Sequence, residues 1–441
     1  MIAARLLVEF GAAPEDAIGR VRAKRPGAIE TREQEEHVRA LGPIPGGADT
    51  AAGRTARAVL GCLLGGAVGD ALGWPVEFAS LAAIRAQHGE SGIQELAQAA
   101  RGSLAEITDD TQMTLFTAEG LMRAKAREMA RGIAADVIGV IHHAYLRWAF
   151  TQGHEYGDGT EPWRYGPDGW LVSHKDVHAR RAPGTTCLSA LSGWPASFGL
   201  SAARPCNSSK GCGGVMRVAP VGLAGFSAEE TFRLGCEAAA LTHGHPTGQL
   251  AAGAFALIVS RLLAGDDLDA AIETARRALA DCQDGGETLS AIDRALDLAR
   301  RGAPTPEAVE QLGAGWVAEE ALAIGLYAAL VHRDDLPAAV RLAVNHSGDS
   351  DSTGAICGQL LGTRLGVVAI PACWLDTLVH VQKANAALDE LTPAKLAALG
   401  PGEAYIWSSK STDDAFTRGV VKVRCRPRVT LHGGGTKTAV E

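Results

Sequence analysis

The sequence predicts an all-α protein, a compact multi-helix body with a metal site between helices. Three observations carry this. Apolar residues recur with helical rather than alternating period: across 319–331, Leu322, Leu326, Ala329 and Leu330 share a face, and 114–126, 136–149 and 248–263 behave alike. Glycines recur every fourth residue in two distant stretches, as Gly61, Gly65, Gly69, Gly73 and as Gly354, Gly358, Gly362, Gly366. Two acidic clusters, Thr108-Asp109-Asp110 and Asp349-Ser350-Asp351-Ser352, lie beside those stretches.

Residues four apart lie on one helix face. A helix-interior glycine costs about 0.8–1 kcal/mol relative to alanine, so eight of them require a compensating gain. Close backbone approach supplies one, and the two helices are therefore expected to cross tightly, with Asp349 and Asp351 leading into the second. The clustered donors are all oxygens, which favours Mg²⁺, Mn²⁺ or Ca²⁺ over softer metals. Metal-assisted hydrolysis is the chemistry such a set serves.

Along the chain, residues 1–42 read as a separate helical piece. Segments 13–24 and 25–40 form two amphipathic helices around a Pro-Gly break. They resemble the last two helices of a cysteine-dependent dual-specificity phosphatase, whose Cys-x5-Arg loop would lie upstream of this chain; the piece is read as a remnant without catalysis of its own. Residues 43–54 are a linker by their proline, glycine and alanine content. Residues 55–400 form the main domain, whose long connections 151–185 and 203–214 are long enough to be functional, the first with Trp163, Tyr165 and Trp170. Residues 401–441 are a tail of unassigned role; the alternation within 419–431 predicts a peripheral strand or a disordered end.

At 441 residues, with a net charge of −8 and 46% hydrophobic residues, the chain is large enough for a substantial core and shows no basic tract for nucleic acid. Nine scattered cysteines without CxxC pairs read as reduced thiols in a cytoplasmic protein. Arg5 and Glu9 interrupt the N-terminal apolar run, which excludes a signal peptide, and the longest uncharged apolar stretch, ending at Asp70, is too short to span a bilayer. Asp70, among the helix glycines, reads as a buried supporting or capping group. The glycine-rich run Ser209-Lys210-Gly211-Cys212-Gly213-Gly214 has the composition of a loop whose backbone N–H groups converge on an anion.

Taken together, Gly-Asp-Ala-Leu-Gly-x-x-x-Glu at 69–77, Thr-Asp-Asp-Thr-Gln-Met at 108–113, Ser-Lys-Gly-Cys-Gly-Gly-Val-Met-Arg at 209–217, Leu-Thr-His at 241–243 and Gly-Asp-Ser-Asp-Ser-Thr-Gly at 348–354 resemble the ADP-ribosylglycohydrolase family, in order, from about residue 55 to about 380. The resemblance implies a dinuclear Mg²⁺ or Mn²⁺ centre held by Thr108, Asp109, Asp110, Asp349, Asp351 and Ser352. It implies cleavage of the bond between the anomeric ribose carbon of ADP-ribose and an acceptor. Two cations would orient ribose hydroxyls and activate water. Asp109 and Asp110, then Glu77, are the candidate proton-handling carboxylates. Ser209, Lys210, Gly211, Cys212 and Gly213 would form the diphosphate loop, Cys212 as a small residue rather than a nucleophile. Gly184 and His243 are further substrate-contact candidates; His346 could orient a ligand carboxylate, and His142-His143 read as structural. The acceptor implied is arginine on protein, with serine, nucleic-acid base and O-acetyl-ADP-ribose linkages as alternatives. A different class of reading is an immunity or regulatory protein that occludes an ADP-ribosyltransferase.

Overall fold

The computed structural model describes residues 51–96, 105–132, 134–155, 167–192 and 204–378, positions 14, 15, 18 and 39, and residues 403–405 and 422–424. The phosphatase-like reading of 1–42 falls almost wholly outside these residues. The chain divides into two units, 1–383 and 384–441. Among the described residues the second unit holds a short antiparallel pair, β1 (Glu403–Tyr405) with β2 (Lys422–Arg424), of which β2 lies inside the stretch 419–431 whose alternation predicts a strand.

The described part of the first unit has fifteen α-helices and no strand. In chain order these are α1 (Ala51–Gly73), α2 (Leu81–His88), α3 (Asp109–Arg131), α4 (Val137–Thr151), α5 (Thr185–Ser192), α6 (Ala219–Leu223), α7 (Ala228–Ala240), α8 (Pro246–Leu263), α9 (Leu268–Ala280), α10 (Gly286–Arg301), α11 (Pro306–Glu310), α12 (Ala318–Val331), α13 (Leu336–Val344), α14 (Ser350–Leu365) and α15 (Ala372–Thr377). α1 begins at Ala51, inside the stretch read as linker. Capping is local and conventional: Ser227 and Glu230 form a reciprocal capping box on α7, and Asp267 and Asp335 accept from Ala270 and Ala338 on α9 and α13.

α12 corrects the one-faced pattern read from its sequence. Every residue from Ala318 to Leu330 except Glu320 is buried, so the helix is apolar all round because neighbours cover every side. α8 is similarly enclosed. By length and composition residues 53–76 and 246–263 are long and apolar enough to cross a membrane, longer than the run counted in the sequence because Asp70 lies within α1; both are largely buried core helices here.

The predicted crossing is the centre of the fold. α1 and α14 run antiparallel with their glycines in register: a Cβ built on Gly61, Gly65 or Gly69 would overlap the carbonyl oxygen of Gly362, Gly358 or Gly354, and the reverse holds from α14. At the last rung Gly73 meets the backbone of Ser350 and Asp351. Gly366 serves otherwise, ending α14 with φ 78°, in the left-handed region that glycine adopts without strain. The crossing thus brings the end of α1 against the start of α14, where Asp349 and Asp351 lie.

Candidate metal centre

Two helix starts and one turn supply the acidic groups. Thr108 caps α3, its Oγ1 accepting from Asp110 N at 3.3 Å. The same helix end is capped again from α1: Asp70 accepts from Thr108 N at 3.0 Å, Thr108 Oγ1 at 2.9 Å, Thr111 N at 3.1 Å and Thr111 Oγ1 at 2.5 Å. This is the capping role read for Asp70. Asp349 caps α14, accepting from Ser352 N at 3.4 Å, and Asp351 Oδ1 accepts from the same N–H at 3.0 Å.

Glu77 ends the turn after α1, with its N–H on Gly73 O at 3.0 Å. Leu81 N then donates to Ser347 Oγ at 2.8 Å, tying the following segment to a residue two before Asp349.

One carboxylate oxygen from each of Glu77, Asp349 and Asp351 lies within 4.8 Å of the other two. Asp109 and Asp110 are buried beside this trio but outside it. Burial first, then the charges of Asp351 and Asp349, pushes the Glu77 carboxyl up to about 10. Asp109 is pushed up to about 8 by burial and by Asp351 and Asp70, against the Gly184 N–H that stabilises its anion. Asp110 and Asp349 lie well above the usual carboxylate range, through burial and then Asp351. The hydroxyls of Thr108 and Ser352 sit beside Asp351 and Asp349 and favour their anions.

Among the described residues no ion pair reaches any of these five carboxylates, and Glu77 Oε2 and Asp110 Oδ1 are buried without a hydrogen-bond partner. Buried carboxylates need a counter-charge. An all-oxygen set with unpaired oxygens and no protein cation fits a hard divalent metal.

The glycine loop lies against this cluster. Cys212 N donates to Trp316 O at 3.1 Å and Ala318 N to Lys210 O at 2.8 Å, pinning the loop to the start of α12. Within it Ser209 N donates to Asn207 Oδ1 at 2.9 Å and Gly211 N to Ser209 Oγ at 3.2 Å. The N–H groups of Ser209 and Gly211 are thereby used within the loop and that of Cys212 on Trp316, while Gly213 and Gly214 lie buried in the short 3-10 turn Cys212–Gly214, packed against Cys187, His243 and Ala239. The Lys210 ammonium is held by Glu287 at 2.5 Å and by Glu319, so it is turned away from the role of a phosphate contact. Cys212 has a contact its sequence did not announce: its Sγ donates to Asp349 Oδ2 at 2.8 Å, and burial with the nearby Asp349 charge keeps it a thiol.

Gly184 joins the site through its N–H, which donates to Asp109 Oδ2 at 3.0 Å. His243 packs under the loop, its Nε2 3.3 Å from where a Cβ on Gly211 or Gly213 would sit. His346 does not orient a carboxylate: its Nε2 pairs with Thr353 Oγ1 at 2.9 Å because Thr353 faces it from the first turn of α14. His142 and His143 meet edge to face on α4, away from the acidic residues that define the site.

Arg217 was missed as a functional residue, although it ends the motif that begins at Ser209. It is fully buried with no carboxylate partner among the described residues; its guanidinium lies 4.2 Å from the Tyr145 ring centroid and donates to Ala238 O at 3.1 Å and Thr242 Oγ1 at 2.7 Å. Thr242 Oγ1 is 2.8 Å from His243 Nδ1. Thr242 Oγ1 thus links the Arg217 guanidinium to the His243 ring. Burial, then the Arg217 charge, pushes His243 down to about 3, so the ring is neutral near pH 7.

Comparison with known proteins adds the following. The sequence matches the family model described as ADP-ribosylglycohydrolase over residues 51–401. An uncharacterized protein of Archaeoglobus fulgidus is 29% identical over 322 residues, 72% of this chain and 90% of that protein. ADP-ribosyl-[dinitrogen reductase] glycohydrolase of Rhodospirillum rubrum is 27% identical over 323 residues, 72% of this chain and 89% of that protein. A solved structure described as an ADP-ribosylglycohydrolase-related protein complex aligns with a TM-score of 0.48 and 26% identity, over 76% of this chain and 95% of its own.

Proposed function

The chain belongs to the ADP-ribosylglycohydrolase family, and from that premise we propose that it hydrolyses the bond between ADP-ribose and an arginine acceptor on protein, with two Mg²⁺ or Mn²⁺ ions. The observation that carries the reading is the convergence of Glu77, Asp349 and Asp351 at one end of the glycine crossing, with Asp109 and Asp110 beside them and, among the described residues, no ion pair to any of the five. A protein acceptor is favoured by the relative whose name specifies an ADP-ribosylated protein, and arginine by the resemblance of Asp-Ser-Asp-Ser at 349–352 to family members with that activity.

Glu77, Asp109, Asp110, Asp349 and Asp351, with the Thr108 and Ser352 hydroxyls, would hold the ions. Bound there, the metals would polarise ribose hydroxyls and make hydroxide available near neutral pH. The protein's own groups do the rest. The loop Ser209–Gly213 would carry backbone close to a diphosphate, its glycines keeping bulky side chains out of the way. His243 offers one more neutral polar group from beneath the loop. Asp109, Asp110 and Glu77 are the carboxylates that would take a proton from water or give one to the leaving nitrogen. Gly184 N–H fixes the rotamer of Asp109.

The test is release of free ADP-ribose from arginine-, serine- and nucleic-acid-linked substrates, with Mg²⁺, with Mn²⁺ and with chelator. Metal-dependent release from the arginine linkage is the expected result. Release from another linkage only would reassign the acceptor, and metal-independent release would remove the metal assignment.

A further inference from the structure

The chemistry above leaves one feature beside Glu77 unused. Phe78 is 67% exposed and holds φ 66°, a left-handed backbone that is costly for a non-glycine residue. Trp316, 40% exposed, stacks on it with ring centroids 5.1 Å apart and planes at 21°. Core packing does not account for this, since both rings face solvent. The left-handed residue lets the turn direct the Glu77 carboxylate into the acidic trio while the next ring emerges on the outside. Trp316 is tied to the same region: its carbonyl holds Cys212 N of the glycine loop, and a side chain on its neighbour Gly315 would meet Asp349 Cβ at 3.4 Å. The stacked pair therefore stands between the trio and the loop.

The side chains nearest to it are acidic or already paired. Glu77 precedes Phe78, Asp349 lies behind Gly315, and Glu320 accepts from Ala314 N and Gly315 N at 3.0 and 3.2 Å. The nearby Lys210 is matched by two glutamates, Glu287 and Glu319. With Glu77 and Asp349 offset by the ions they would hold, the preference rests on the rings themselves: an exposed aromatic face attracts a planar cation through its quadrupole, over an anion.

We propose that Phe78 and Trp316 form an aromatic ledge that receives the guanidinium of the acceptor, the part of the substrate that sets linkage specificity. This rests on the arginine reading above and names the residues that would enforce it. Strain at Phe78 is then the means of holding a recognition ring and a site carboxylate on consecutive residues.

The test uses the full chain with Mg²⁺ and the variants Phe78→Ala, Trp316→Ala and Trp316→Phe. Each is assayed for kcat/KM on ADP-ribosyl-arginine, for Kd of free ADP-ribose, and by calorimetry for binding of agmatine, a free alkylguanidine, to the ADP-ribose-saturated protein. The alanine variants are expected to lose about tenfold or more in kcat/KM and to lose agmatine binding, while the Kd of ADP-ribose moves less than about threefold and Trp316→Phe retains most of the arginine activity. A parallel loss of ADP-ribose affinity would overturn the ledge, since the rings would then hold the nucleotide. Unchanged kinetics or unchanged agmatine binding in Trp316→Ala would overturn it as well. If the unsubstituted protein cleaves no arginine linkage, the proposed function fails separately, and calorimetry still decides: Trp316-dependent agmatine binding supports the ledge and its absence refutes it.

Discussion

Substituting Gly358 with alanine tests the crossing of α1 and α14 most directly. Helix propensity alone favours the change by about 1 kcal/mol. Against it, the new methyl would overlap Gly65 O and lie 2.5 Å from Gly65 C and 3.1 Å from Gly66 N, all backbone atoms that no rotamer change can move. Relief needs the two axes to part by about 1 Å at that rung, at a cost of about 3 kcal/mol or more, the upper end for overpacking, because the neighbouring rungs separate too. The expected net effect is destabilisation by about 2 kcal/mol or more, with reduced activity because α14 carries Asp349 and Asp351. Gly286→Ala is the control: nothing lies within 4 Å of its built Cβ and its φ is ordinary, so it should gain about 0.5 kcal/mol. Guanidinium denaturation with common baselines reads both. Equal or greater stability of Gly358→Ala, with m unchanged, would refute the steric argument for the glycine ladder.

Three further outcomes are expected. Asp351→Ala should lower turnover at least about a hundredfold while the far-ultraviolet circular dichroism is kept, and saturating Mg²⁺, worth about 2.7 kcal/mol at a hundred times Kd, should raise the Tm of the unsubstituted protein but not of the variant. His346, held down to about 4 by burial and near 6.5 when unfolded, binds fewer protons folded than unfolded between these values. Its contribution is therefore present above pH 6.5 and is lost as pH falls toward 4, about 2 kcal/mol by pH 5; the difference between the unsubstituted protein and His346→Gln in denaturation at pH 5 and pH 8 should change by that amount, and a pH-independent difference would contradict it. Thr242→Val removes the hydroxyl joining Arg217 to His243 and should raise KM by about fivefold with kcat nearly unchanged, as steady-state kinetics would show.

The sequence made the glycine crossing and both acidic helix starts legible because each depends on spacing or on side chains within one turn. A four-residue glycine period has few explanations other than close contact, and the caps at Thr108 and Asp349 are local. The remaining features are long-range. Glu287 and Glu319, which occupy Lys210, lie far along the chain from it, so the lysine read as a candidate phosphate ligand. The Cys212 thiol on Asp349 and the Trp316 ring on Phe78 likewise join segments whose proximity only the assembled helices establish. Arg217 and Thr242 both lay within recognised motifs, yet the order Arg217, Thr242, His243 emerges only when α7 places Ala238 and Thr242 over the guanidinium. The one-faced reading of α12 failed because a helix covered on all sides carries no periodic contrast.

The ladder between α1 and α14 also fixes when the site can come into being. Gly61 and Gly362 stand about 300 residues apart in sequence, so closing that loop costs about 5 kcal/mol of chain entropy before any rung is formed. During synthesis α1 emerges early with a bare strip of backbone and no partner for it. The carboxylates of α14 arrive only near the end of the domain, and until then the emerging chain has half of the acidic cluster. A sparing supply of metal would not hasten this step, because the ligands from α14 must first exist. Assembly of the crossing is accordingly expected to be a late event in folding, and the acquisition of metal later still.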